Sequence, residues 1–67
     1  MGELFATYDH VSLDAQIEEL KREQAIRATV YPRWIASGSL KVSTARRRTA
    51  ALAAAIASLE QLKASTQ

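Results

Sequence analysis

The chain has 67 residues, no cysteine, a single histidine (His10) and a formal charge of +2. A chain of that length holds one domain (residues 1–67) with a thin core that wants help from outside. Disulfides are excluded, and His10 has neither a second histidine nor clustered carboxylates at ligand spacing, so no metal and no cofactor is expected. No apolar run reaches the roughly 18 residues of a membrane span, and no basic stretch leads into an apolar block at the N-terminus. A cytoplasmic protein without membrane contact is the expectation.

The first dozen residues, MGELFATYDHVS, place Leu4, Phe5, Tyr8 and Val11 at loosely helical spacing. They form an N-terminal arm (1–12), read either as a short extra helix folded over the rest or as a frayed tail. Ser12 then offers an N-cap, with Asp14 in the first turn where a carboxylate suits the helix dipole. The spacing predicts a first helix from about 13 to 37, with Leu13, Ile17, Leu20, Gln24, Arg27, Tyr31, Trp34 and Ile35 on one broad face. Gly38 is its stop, because a residue without Cβ takes the left-handed conformation cheaply. After the connector SGSLKV, Ser43 is a second cap for a helix over about 44–64. Its stripe runs through Ala45, Thr49, Leu52, Ile56, Leu59 and Lys63, with Leu62 on the flank, and the remainder is largely alanine. Two long helices joined by so few residues pack antiparallel. The predicted fold is all-α, a two-helix hairpin.

A two-layer hairpin leaves half of each apolar face wet, so self-association into a twofold dimer, a four-helix arrangement, is expected. Charge fits this. Residues 1–32 hold six acids (Glu3, Asp9, Asp14, Glu18, Glu19, Glu23) against Lys21, Arg22 and Arg27, whereas residues 33–67 hold Arg33, Lys41, Arg46, Arg47, Arg48 and Lys63 against Glu60 alone. Such halves attract each other within a chain or between copies.

Pro32 falls within the first helix, where it removes a backbone donor and crowds the preceding turn. The apolar phase continues through Tyr31, Trp34 and Ile35, which favours one continuous, kinked helix that aims Trp34 across Leu40 and Val42 at the closed end of the hairpin. Trp34 is then either the plug of the core or, with Tyr31, an exposed anchor for a partner, since aromatic residues and arginine dominate binding hot spots. Ile26 and Val30 point away from the main stripe, with Glu19 and Glu23 alongside, and are either a second apolar strip of the kind that marks a further interface or two solitary surface aliphatics. Arg27 lies on the apolar side, where its stem packs and its guanidinium reaches a carboxylate or an aromatic ring. The candidate partner-binding residues are Ile26, Val30, Tyr31, Arg33 and Trp34.

The run ARRRTA puts Arg46, Arg47 and Arg48 at the start of the second helix, against its dipole, and with Lys41 makes a basic patch. Acids of the first helix, an acidic partner or phosphates are the candidates for balancing it. Enzymatic chemistry has no support: there is no nucleophile at a recognisable spacing from His10 and no glycine-rich phosphate loop. The chain also lacks the pattern of a helix-turn-helix.

Residues 20–45, LKREQAIRATVYPRWIASGSLKVSTA, resemble a group of small, uncharacterised proteins encoded by phages and prophages. The likeness rests on Arg22, Glu23, Arg27, Val30, Tyr31, Pro32, Trp34 and Gly38, with Val-Tyr-Pro-x-Trp as its centre. It implies a small phage accessory protein made in a bacterial cytoplasm, of a sort that often docks onto a host protein and modulates or inhibits it. Protein binding is therefore the expected function, and nucleic-acid association through Arg33, Lys41 and the arginine cluster is the alternative.

Overall fold

A computed structural model of the chain describes residues 11–65, and the N-terminal arm expected over residues 1–12 lies almost wholly outside them. The described residues form two helices, α1 (Leu13–Ala36) and α2 (Val42–Ser65), each of 24 residues, packed against each other as an antiparallel, all-α hairpin. Neither helix is long and apolar enough to cross a membrane.

Local chemistry sets both ends of α1. Ser12 has extended backbone, and its Oγ accepts a hydrogen bond from the Ala15 amide at 3.0 Å, while its carbonyl accepts the first helical bond from Gln16. At the other end the Gly38 amide donates to the Ile35 carbonyl (3.1 Å) and the Ser39 amide to the Trp34 carbonyl (2.8 Å). That pair of bonds is a Schellman motif, and Gly38 provides its left-handed residue at φ +81°. The Leu40 amide and the Ser37 hydroxyl also donate to the Trp34 carbonyl, so the whole turn is gathered on one oxygen.

The helix runs through Pro32 without a break. Proline has no N–H for the Ala28 carbonyl, but both residues are exposed, and water is at hand for the freed acceptor. Helix α2 starts two residues earlier than the Ser43 cap predicts. The Lys41 carbonyl accepts the Ala45 amide at 2.9 Å, which places Ser43 inside the first turn.

The core is a single line of contact. Ile17, Leu52 and Ile56 form its centre, with Leu20 and Leu59 packed against them, and Tyr31 and Ala45 are buried nearer the turn. The predicted stripes therefore do meet, except that Gln24, Trp34 and Thr49 stay exposed, as does Leu62 on the flank. Two ion pairs, Lys21–Glu60 (3.0 Å) and Lys63–Asp14, join the helices towards the open end and match the antiparallel register.

Candidate interaction surface

The two aromatic neighbours of Pro32 have different roles. Tyr31 is 7% exposed and Trp34 45%. The side chain that plugs the hairpin near its turn is therefore Tyr31, which corrects the expectation of an exposed Tyr31 anchor and of a Trp34 plug. The rings remain in contact, with centroids 5.9 Å apart and planes tilted by 37°.

Tyr31 is held by a chain of contacts along α1. Glu23 accepts a hydrogen bond from Arg27 Nε at 2.9 Å, and the Arg27 guanidinium sits 5.8 Å from the centre of the Tyr31 ring. Arg27 Nη1 also donates across to the Arg48 carbonyl of α2 at 3.3 Å. Arg27 is thus tied on three sides, as its place on the apolar side of the helix predicts.

Around the turn the charge is of one sign. From Gln24 to Leu59 there is no acidic residue, whereas Arg27, Arg33, Lys41, Arg46, Arg47 and Arg48 all fall in that stretch. Among the described residues only Arg27 of these six has an acidic partner. No acid of α1 pairs with the arginine cluster: the antiparallel register sets Asp14, Glu18 and Glu19 towards the opposite end of the hairpin, and Glu23 is engaged by Arg27. Arg33 and the four members of the basic patch are exposed, as is Ile26 at 48%, while Val30 is half-buried.

On one face of the hairpin, next to this basic end, lies a shallow apolar groove bounded by Ala28, Tyr31, Pro32, Ile35, Val42 and Ala53. The sequence signal for it is the combination of a proline with small residues on the facing helix, which lets the two backbones leave a depression between them. The described residues contain no histidine or cysteine and no cluster of three acidic side chains able to hold a metal ion; His10 lies outside them. Their chemistry is apolar contact combined with paired or exposed charge. No protein-family model matches the chain, and no curated protein and no solved structure matches it.

Proposed function

We propose that this is a small, phage-type accessory protein that acts by binding another protein, docking the basic end of its hairpin on an acidic surface of a bacterial host protein and modulating it in the cytoplasm. The carrying observation is the sole tryptophan, Trp34, left 45% exposed in the last turn of α1, next to Arg33 in the chain and in the same closed half of the hairpin as Lys41 and the Arg46–Arg48 run. An exposed aromatic ring at the end of the molecule that also carries exposed arginines combines two features of a binding hot spot, the ring supplying apolar area and the cations steering an acidic partner. The tilt of the ring on buried Tyr31 presets its position, which lowers the cost of ordering it on binding. Self-association accompanies this, because the thin core leaves Val11, Ile26, Val42 and Leu62 exposed as well.

The test is capture from host lysate by wild type, Trp34→Ala and a variant with Arg46, Arg47 and Arg48 changed to Gln. One protein retained by wild type and lost with either variant, at unchanged helicity, is the expected result. Equal capture by all three rejects the reading.

The run of 36 residues from Gln24 to Leu59 without one acid favours a second reading, association with nucleic acid through the same cations. Retention on duplex or single-stranded DNA that falls steeply with salt and disappears in the arginine variant, while Trp34→Ala binds as wild type, selects it over protein docking.

A further inference from the structure

Glu19, Ile26 and Arg33 stand seven residues apart along α1. Seven residues bring a helical side chain back to within about 20° of its starting direction, so the three form one line on the flank of the helix, with Val30 beside it. That line is not the one that meets α2. Ile17 and Tyr31 are buried and Leu20 is half-buried, whereas Glu19, Ile26 and Arg33 are all exposed. Glu19 and Arg33 make no ion pair and no side-chain hydrogen bond within the described residues, although Glu23 and Arg27, which lie between them in the chain, pair with each other.

The order acid, isoleucine, base with equal intervals is self-complementary in one orientation only. Laid antiparallel on a second copy of itself, with a twofold axis at Ile26, the line sets Ile26 against Ile26 and each Arg33 against Glu19 of the second copy. A parallel arrangement sets acid against acid and base against base. An isologous contact needs this property, the same patch complementing itself under a twofold rotation. Exposed charges that find no partner in their own chain are then each matched once.

We propose that α1 pairs antiparallel with α1 of a second copy across Ile26, through two symmetric Arg33–Glu19 ion pairs. This rests on the reading that the hairpin self-associates and adds the face, the orientation and the register. It leaves Arg46, Arg47 and Arg48 on the other helix free for a partner.

The symmetry supplies a decisive test by sedimentation equilibrium of the full chain, with helicity checked by circular dichroism. Glu19→Arg alone and Arg33→Glu alone each place two like-charged pairs in the interface, and each is expected to raise the dimer dissociation constant about tenfold or more. The double variant E19R/R33E restores both pairs with signs exchanged and returns to within about threefold of wild type. An equimolar mixture of the two single variants also restores both pairs, so two chains that are each monomeric alone form a heterodimer together. A wild type that stays monomeric, single variants that dimerise as wild type does, or a mixture that gains nothing over its components overturns the proposal. These outcomes are separate from partner capture: a normal dimer that retains no host protein removes the docking function and leaves the pairing of α1 intact.

Discussion

The open half of the hairpin holds Asp14, Glu18, Glu19, Glu23 and Glu60 and carries, among the described residues, both ion pairs that join the helices, whereas the closed half, from Gln24 to Ala53, has six cations and no acid. Where the helices are free to splay, charges of opposite sign tie them together. Where the chain itself joins them, the connection does that work: the Trp34 carbonyl collects three donors, Gly38 turns the backbone, and Tyr31 fills the gap beside Ala45. The covalent turn is what permits this end to keep all its cations but Arg27 exposed and, among the described residues, without an acidic partner. The docking surface proposed above lies at the end whose cohesion depends least on charge.

The largest effect expected on this contrast separates the two aromatic residues of the closed half. Tyr31→Ala empties a buried site and should cost about 3 to 5 kcal/mol, the range for truncating a buried aromatic. Trp34→Ala should cost about 1 kcal/mol or less, as exposed substitutions do. Urea denaturation followed by circular dichroism, at one protein concentration because association shifts apparent stability, checks both. The reverse order would make Trp34 the core residue and remove the proposed docking anchor.

This difference marks where the sequence stops being informative. Tyr31 and Trp34 are three residues apart, about 60° in helical phase, and both fit the same broad stripe. Which of them meets α2 depends on how the helices cross, and no local pattern encodes that. The elements themselves were legible because their signals are local: Ser12 caps α1 with its own side chain, Gly38 ends it by its own conformation, and Leu52, Ile56 and Leu59 repeat with the helical period. The start of α2 was displaced because its first hydrogen bond is accepted by the main chain of Lys41, which any residue type provides. Of the candidate site, the basic patch and the Ile26 strip could be read from the sequence, but that no acid of the described residues pairs with Arg46, Arg47 or Arg48 follows only from the packing of the helices.

A smaller effect tests the turn. Nothing lies within 4 Å of a Cβ added at Gly38, so Gly38→Ala meets no steric obstacle and its cost is that of the positive φ alone, about 1 to 2 kcal/mol. If the turn holds the closed half together, Gly38→Ala should cost more than Ser12→Ala at the open end, where a lost side-chain cap is worth about 1 kcal/mol. Equal losses, measured in the same denaturant titrations, would mean that the two ends are held equally by local structure.

Salt gives the smallest and most pointed comparison. Lys21 and Glu60 are about half exposed (55% and 49% of their side chains), so their pair contributes roughly 0.2 to 1 kcal/mol and is weakened as ionic strength rises. In the closed half the sign is opposite. Arg46, Arg47 and Arg48 repel one another at exposed positions, and added salt relieves that repulsion; because α2 starts at Val42 they lie past its first turn, where the dipole has little effect. With more unpaired cations than ion pairs, the wild-type hairpin should gain a few tenths of a kcal/mol between about 0.01 M and about 1 M sodium chloride, measured at a concentration where it is monomeric. Changing Arg46, Arg47 and Arg48 together to Gln removes the repulsion and leaves the ion pairs, so that variant should lose stability over the same range. A wild type already destabilised by salt would mean that the open-half pairs outweigh the closed-half repulsion, and that the cations around the turn are better compensated than their lack of acidic partners implies.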